Sequence, residues 1–192
     1  MAEGPKTAEL VVLVEGYADE RVAGTVSLIV DGDAVIVVDP GMVEHRSKIL
    51  DPLHARGFVE EDVTDVVFSH HHPDHTLHAA LFPNARFHDF QATYLGDVWD
   101  DQPAEGFRLG PSTSLIETPG HTPQDISTLV ETAAGLAVLT HLWWTAEGPE
   151  EDPYATDREL LRRSRERVLA LEPALVVPGH GAPFVPGPQT PR

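Results

Sequence analysis

The clearest pattern along the chain is a pair of β-branched, apolar runs near the amino terminus. They cover residues 25–30 and 34–38 and are separated by Asp31, Gly32 and Asp33. A glycine between two polar residues is typical of the turn in a β-hairpin. The pattern therefore predicts two antiparallel strands at this point.

Two segments have the apolar spacing of helices. In the first, 43–56, apolar side chains recur on one side, and Gly57 is suited to end the helix. The second, 157–173, opens on Asp157 as a candidate N-cap and carries leucines and valine at helical spacing among solvated charges. A shorter helix is expected near 76–81.

Short apolar runs bounded by turn-forming residues predict the remaining strands. They lie at 64–69, 85–88, 114–118, 126–131 and 136–140 and in the segment ALVVPGHG, 174–181. Strands and helices alternate in this interpretation, which predicts an α/β protein or a layered α+β sandwich. We expect one domain over 1–192, with a loose proline-rich tail at 186–192.

Composition narrows the class of partner. A chain of 192 residues is the size of one ordinary domain. It has 13 Lys and Arg against 31 Asp and Glu, a formal net charge of −18. Such a surface repels phosphate backbones, so we expect a small-molecule substrate and no nucleic-acid partner. Nothing in the sequence predicts the oligomeric state.

The sequence has no membrane or export signal of the usual kind. No apolar run approaches the roughly 20 residues that cross a bilayer, and the opening MAEGPKTAEL lacks the basic and apolar regions of a signal peptide. We therefore expect a cytoplasmic protein without membrane contact. The chain has no cysteine, so any metal ion must be held by nitrogen and oxygen ligands.

Histidine is concentrated at the ends of predicted strands. Five of the eleven histidines lie in SHHHPDHTLH, 69–78, directly after the strand at 64–69. His121 in ETPGHT and His180 in VPGHG also follow strands. A single histidine in such a position is usually a hydrogen-bonded loop residue. Metal-type side chains at three strand ends instead predict a metal site.

The order of residues within the first cluster allows two neighbouring metal positions. His70 and His72 alternate on an extended segment, so their side chains can point to one side. The turn that follows brings Asp74 and His75 to an adjacent point. One loop can therefore supply ligands to two ions.

The segments HHHPDH, TPGHT and PGHG, in this order and with DPG at 39–41, resemble the metal-binding motifs of the metallo-β-lactamase-fold hydrolases. The resemblance extends from about residue 10 to 185. It implies an αββα sandwich with a cleft for two metal ions along the sheet edges. The implied ligands of one zinc ion are His70, His72 and His121, and those of the second are Asp74, His75 and His180.

One position departs from the motif. Most of these hydrolases have an aspartate after the next strand that bridges both metals, whereas the matching stretch here is AVLTHLWW, with His141 at that position. A neutral imidazole donates through one nitrogen at a time and cannot bridge as a carboxylate does. His141 is then a terminal ligand of the second metal, an acid or base beside the bound water, or a substitution that weakens one site. Alternatively, Asp152 or Asp157 downstream is the missing carboxylate. We favour terminal ligation.

The resemblance implies a hydrolase that uses a zinc-bound hydroxide, with iron or manganese as other metals and with Asp74 and His141 as candidate catalytic residues. Asp74 would orient the hydroxide and carry a proton to the leaving group. Of the adjacent Trp143 and Trp144, one is expected to line the substrate pocket and the other to pack in the core.

The substrate is open to several interpretations. TPGHTPQDISTLVE resembles lactonases and glyoxalase-II-type thioesterases, and ERVLALEPALVVPGHGAPF is similar to the subfamily of metallo-β-lactamase domain-containing protein 1. A small ester, lactone or thioester is our first expectation. A phosphodiester, an iron-dependent dioxygenase reaction and a non-catalytic zinc-binding domain are the alternatives.

Overall fold

The computed structural model describes residues 7–192, which form two main β-sheets, one two-stranded sheet and three α-helices. Strands and helices are numbered here in chain order. The strands are β1 (Glu9–Val14), β2 (Tyr17–Ala18), β3 (Val22–Ala23), β4 (Val26–Asp31), β5 (Ala34–Val38), β6 (Asp65–Val67), β7 (Arg86–His88), β8 (Ala92–Leu95), β9 (Val98–Asp101), β10 (Thr113–Glu117), β11 (Ile126–Thr132), β12 (Gly135–Thr140) and β13 (Leu175–Pro178). The helices are α1 (Ser47–Ala55), α2 (Pro73–Thr76) and α3 (Arg158–Leu169).

The strands form a large sheet and a small one. The large sheet has seven strands in the order β1-β4-β5-β6-β7-β8-β9, and the small sheet has four in the order β10-β11-β12-β13. The pairs β5–β6, β6–β7 and β12–β13 are parallel, and the other neighbours are antiparallel. β2 and β3 form a separate short hairpin.

Three apolar clusters define the layers. The central cluster joins the inner faces of the two sheets and includes Ile36 and Val67 from one sheet and Ile126 and Leu139 from the other. A second cluster packs α1 on the outer face of the large sheet, and a third packs α3 on the outer face of the small sheet. The architecture is therefore helix, sheet, sheet, helix, which confirms the predicted αββα sandwich.

Most predicted elements are present. The hairpin strands appear as β4 and β5, and the side chain of Asp157 caps α3 by accepting a hydrogen bond from the Leu160 N–H at 3.0 Å. Gly57 follows α1 with a φ of 86°, a left-handed conformation that favours glycine. Hairpin turns and helix ends depend on contacts between residues close in sequence, so sequence patterns predict them well.

Two details of the prediction are wrong. Helix and strand do not alternate throughout, because the chain opens with five consecutive strands and returns to six between α2 and α3. The layered α+β alternative is thus the correct one. The helix expected at 76–81 is instead α2 from Pro73, followed by a 3-10 turn at Ala79–Leu81. Proline fits the first position of a helix because its fixed φ is already helical.

The carboxyl-terminal segment, predicted to be loose, makes a contact with the core. The indole N–H of the buried Trp143 donates a hydrogen bond to the Pro191 carbonyl at 2.9 Å. This contact holds the end of the segment against the small-sheet side of the molecule. In the part of the chain that the structure describes, no helix is long and apolar enough to cross a membrane.

Candidate metal centre

Seven predicted ligand side chains meet at one edge of the sandwich, where strands of both sheets end. They follow β6, β10, β12 and β13 in the chain, and α2 contributes two of them. The His70 ring centroid lies 4.6 Å from that of His72, 4.4 Å from that of His75 and 4.9 Å from that of His121. The structure thus brings together the complete set: His70, His72, Asp74, His75, His121, His141 and His180.

The two ligand groups implied by the motif are both present geometrically. Within each group, one donor atom per residue lies within 4.8 Å of the others. The groups are His70 with His72 and His121, and Asp74 with His75 and His180. Two further groups satisfy the same distance and both contain His141. The arrangement therefore fits a metal ion, and ligation by each named residue remains a prediction.

Asp39 and Ser69 orient two of the imidazoles. The Asp39 carboxylate accepts hydrogen bonds from the Ser69 N–H and hydroxyl at 2.7 and 2.6 Å and from His75 Nδ1 at 2.8 Å. The Ser69 oxygen lies 3.0 Å from His70 Nδ1. Outer carboxylates of this kind fix the ring orientation of metal-binding histidines. The aspartate of the DPG segment is thus connected to both His70 and His75.

The glycine of the same segment is required by close backbone contact. A Cβ on Gly41 would overlap the Asp74 carbonyl and approach the His75 backbone nitrogen. On the other side, the Gly24 N–H donates to the Asp74 carbonyl at 3.0 Å. The backbone of α2 at Asp74 and His75 is therefore packed between two glycines.

Asp152 links a predicted ligand to the wall of the cleft. One oxygen of its buried carboxylate accepts from His121 Nδ1 at 2.8 Å and from the Trp144 indole N–H at 2.9 Å. The sequence argument considered Asp152 only as a bridging ligand, and its contact with His121 was missed. The only signal was its position downstream of β12, since a contact between residues 31 apart depends on the loop that joins them.

His141 lies at the centre of the cluster. Its ring centroid is 4.6 Å from that of His70, 4.7 Å from that of His75 and 4.1 Å from that of His121. The side chain is 2% exposed, and burial together with the neighbouring histidines holds its pKa well below the usual range. His141 is therefore neutral at pH 7 and has a lone pair available for a metal ion.

The cluster contains both neutral and charged side chains. Burial also holds the pKa of His70 well below its usual range. Burial alone would have the same effect on His75, but the Asp39 and Asp74 carboxylates outweigh it and raise the pKa to about 9. Burial opposes ionisation of Asp74, yet its contacts with His75 lower the carboxyl pKa to about 2. The donor set is then several imidazoles with one ionised carboxylate, which suits zinc, iron or manganese.

A cleft of about 460 Å³ opens above the cluster. Its floor includes His72, Asp74, His121, His141 and His180, and its walls include Ala18, Asp19, Val22, Met42, Trp144 and Tyr154. Trp144 lines the cleft and Trp143 is fully buried in the core. This confirms the expectation that one of the two tryptophans lines the pocket and the other packs in the core. A second cavity, of about 450 Å³, lies at the opposite strand ends and has no histidine lining it among the described residues.

Two packed sheets flanked by helices, with a histidine-lined cleft at the strand ends, define the metallo-β-lactamase class of fold. The structure superposes on a metallo-β-lactamase-like protein from Thermotoga maritima with a TM-score of 0.73 and 23% identity, covering 94% of this chain and all of that one. It also matches a quorum-quenching N-acyl homoserine lactone hydrolase with a TM-score of 0.66 and 22% identity, over 94% of each chain.

Sequence comparison agrees with the fold. The family model of the metallo-beta-lactamase superfamily matches residues 19–89. The mouse (Mus musculus) metallo-beta-lactamase domain-containing protein 1 is 35% identical, over 91% of this chain and 83% of that protein. The chain therefore belongs to the metallo-β-lactamase superfamily and, within it, to the family of metallo-β-lactamase domain-containing protein 1. Membership and the histidine cluster together support a metal-dependent hydrolase in general.

Replacing Asp152 by asparagine is expected to weaken metal binding by about 10–100-fold, the usual effect of losing an outer carboxylate partner. The neutral amide cannot supply the negative charge that now faces His121 Nδ1 at 2.8 Å. Competition with a chromophoric chelator would measure the affinity. Asp157→Asn is the matched control, because Asp157 caps α3 and should leave the affinity unchanged. Equal affinity of Asp152→Asn and wild type would contradict the orienting role.

Proposed function

We propose that this protein uses a zinc-bound hydroxide to hydrolyse a small ester, lactone or thioester in the cytoplasm. One observation carries the proposal: six histidines and one ionised aspartate converge at a cleft of small-molecule size. Zinc held by three imidazoles lowers the pKa of a coordinated water to about 7 and polarises a carbonyl oxygen.

Asp74 is the group best placed to move a proton. Its carboxylate is partly exposed, borders the cleft and is ionised at neutral pH because its pKa is about 2. An ionised carboxylate beside the nucleophile can accept a hydrogen bond from it, which orients the attack, and can then pass a proton to the leaving group. Asp152 holds His121 through Nδ1, and the other ring nitrogen of His121 faces His72 Nδ1 at 3.0 Å.

The walls of the cleft favour an uncharged substrate. Val22, Met42, Trp144 and Tyr154 present apolar surface, and no lysine or arginine lines the cleft within residues 7–192. A substrate with a free carboxylate or phosphate would find no cationic partner there apart from the metal. The lactone hydrolase among the structural matches supports this class as a proposal, since that protein acts on N-acyl homoserine lactones.

Phosphodiester hydrolysis is the second candidate, and one observation favours it. Asp74 is the one carboxylate in the two implied ligand groups, because the usual bridging aspartate is replaced by His141. A bridging aspartate would neutralise part of the positive charge of two divalent ions, whereas a neutral His141 does not. The larger remaining positive charge suits an anionic phosphodiester. The net charge of −18 and the absence of a basic wall oppose it.

The test combines metal analysis with turnover. Protein purified without added metal would be examined by inductively coupled plasma mass spectrometry and then assayed with a γ-lactone, an acyl thioester and bis(p-nitrophenyl) phosphate. We expect bound zinc and chelator-sensitive turnover of the lactone or thioester. Preference for the phosphodiester would select the second candidate. Bound metal without turnover of any substrate class would indicate a non-catalytic metal-binding domain.

A further inference from the structure

The strand β9 is an uncovered edge of the seven-stranded sheet. β8 pairs with it on one side, and within residues 7–192 no strand pairs with it on the other. All four residues of Val98–Asp101 are exposed. Edge strands are commonly protected by lysine, proline or a β-bulge, and β9 has none of these. The strand is therefore open to pairing with another extended chain.

The register of the β8–β9 hairpin identifies the backbone groups that face outward. The Gln102 N–H donates to the Gln91 carbonyl at 2.8 Å, at the end of the paired segment. Inward and outward groups alternate along an antiparallel strand. Gln102 thus faces β8, and the backbone N–H and C=O groups of Asp101 and Trp99 face away from it. They provide two donors and two acceptors for a neighbouring strand.

Each face of β9 has one apolar residue and one aspartate. Neighbouring residues point to opposite faces of a strand, so Val98 shares one face with Asp100. Trp99 shares the other face with Asp101, whose carboxylate accepts a hydrogen bond from the indole N–H at 2.8 Å. Val98 and Trp99 are 62% and 58% exposed. The Trp99 ring also packs edge-on against the Tyr94 ring, with the centroids 4.6 Å apart, so its position is defined before any partner binds.

The aspartates of the hairpin have no cationic partner. In the part of the chain that the structure describes, no lysine, arginine or histidine forms an ion pair with Asp97, Asp100 or Asp101. Pairs of opposite charge that lie across neighbouring strands stabilise a sheet. A strand beside β9 would therefore be favoured by lysine or arginine opposite the aspartates.

A second copy of this chain is a poor occupant of the edge. Antiparallel pairing of two β9 strands joins their outward-facing residues. Pairing of Trp99 with Trp99 places Asp97 opposite Asp101. Pairing of Trp99 with Asp101 places Asp100 opposite Asp100, and pairing of Asp101 with Asp101 is a like-charge pair in itself. Like charges directly opposite each other are destabilising, so the sequence of β9 opposes self-pairing.

We propose that β9 binds an extended segment of another protein, in which two basic residues precede two apolar residues, as an additional antiparallel strand. The basic residues of the segment lie opposite Asp101 and Asp100. The apolar residues then lie opposite Trp99 and Val98. Main-chain hydrogen bonds to the outward-facing groups provide affinity, and the side-chain pairs select the order of residues. Antiparallel pairing is the more stable of the two orientations.

This surface is separate from the metal cleft. None of the residues that line the cleft belongs to β8 or β9. Peptide binding therefore does not depend on the proposed hydrolysis, and an assay without substrate or added metal tests it independently.

The first test measures binding of a labelled peptide to the full chain by fluorescence anisotropy. The peptide is Thr-Lys-Lys-Val-Ile-Thr, and the control peptide Thr-Lys-Val-Lys-Ile-Thr has the same composition in an alternating order. We expect the control to bind at least about tenfold more weakly, because it places one lysine opposite an apolar residue and one apolar residue opposite an aspartate. Equal binding of the two peptides would overturn the proposal, as would binding of neither.

Charge reversal tests the same surface from the protein side. A variant with Asp100→Lys and Asp101→Lys should bind the first peptide at least about tenfold more weakly and should instead bind Thr-Glu-Glu-Val-Ile-Thr. The matched control has Asp51→Lys and Glu61→Lys, which change the net charge equally at exposed positions outside the hairpin. The control variant should bind as the wild type does. Equal loss in both variants would show attraction to the acidic surface in general and would contradict binding at β9.

Amide hydrogen exchange locates the bound peptide. The outward N–H groups of Trp99 and Asp101 should exchange at least about tenfold more slowly in the complex. The Gln102 N–H is already bonded to Gln91 and should change little. Unchanged exchange at Trp99 and Asp101 with peptide bound would overturn strand addition. Sedimentation of the free protein provides the last check, since self-association that the Asp100→Lys, Asp101→Lys variant alters would assign the edge to a second copy.

Discussion

Removal of divalent metal is expected to lower the melting temperature by about 10 °C. A metal present at about 1,000 times its Kd adds about 4 kcal/mol to stability, and in a domain of this size each kcal/mol corresponds to about 2–4 °C. The physical reason is the buried cluster, in which His70 Nε2 and His141 Nδ1 have no hydrogen-bond partner and Asp74 remains ionised. Calorimetry before and after exhaustive chelation, followed by addition of zinc, would measure the change.

His70→Ala provides the control for this experiment. His70 belongs to two of the groups whose donor atoms lie close together, so its loss removes a ligand from both. The melting temperature of the variant should respond less to the chelator than that of the wild type. A wild-type melting temperature unaffected by complete metal removal would show that the cluster does not bind metal in the folded protein.

The predicted part of the site depended on local sequence. Each implied ligand follows a strand, and strand ends on one edge of a sandwich converge whatever the intervening loops contain. The order HxHxDH also fixes which side chains share a direction, through the extended segment before Pro73 and the turn after it. The sequence therefore predicted that these seven side chains would lie close together, and the structure confirms this.

The remainder depended on long-range contacts. Asp152 contacts His121 because the loop after β12 brings the two residues together. The sequence pattern of apolar and polar residues does not predict the path of that loop. His141 Nε2 lies 3.3 Å from His180 Nε2, and His180 is in turn held by the Ala23 carbonyl on a distant hairpin. β9 was missed for a different reason: all four of its residues are exposed, so it lacks the alternation that marks a half-buried strand.

Arg165 is the anchor of the loop that carries Trp144 and Asp152. It lies on α3, is fully buried, and donates three hydrogen bonds to backbone carbonyls of that loop. The acceptors are Leu142 at 2.8 Å, Pro149 at 2.7 Å and Glu150 at 3.0 Å. Its guanidinium also lies 5.7 Å from the centre of the Trp143 ring. One side chain thus connects the helical layer to the wall of the metal cleft.

Replacing Arg165 by methionine is expected to destabilise the fold by about 3–5 kcal/mol. Methionine keeps much of the apolar stem but leaves three carbonyls without their donor, and each unsatisfied buried acceptor costs about 1–3 kcal/mol when water cannot reach it fully. Urea denaturation would measure the loss. Metal affinity should fall as well, because the loop positions the Asp152 carboxylate against His121.

Arg162→Met is the matched control for Arg165→Met, since it lies on the same helix but its side chain is exposed and pairs only with Glu159 and Glu166. Exposed ion pairs contribute little, so neither stability nor metal affinity should change appreciably. If the two variants were equally stable, the three hydrogen bonds of Arg165 would be energetically unimportant. If Arg165→Met lost stability but retained full metal affinity, the loop would support the fold without positioning the metal ligands.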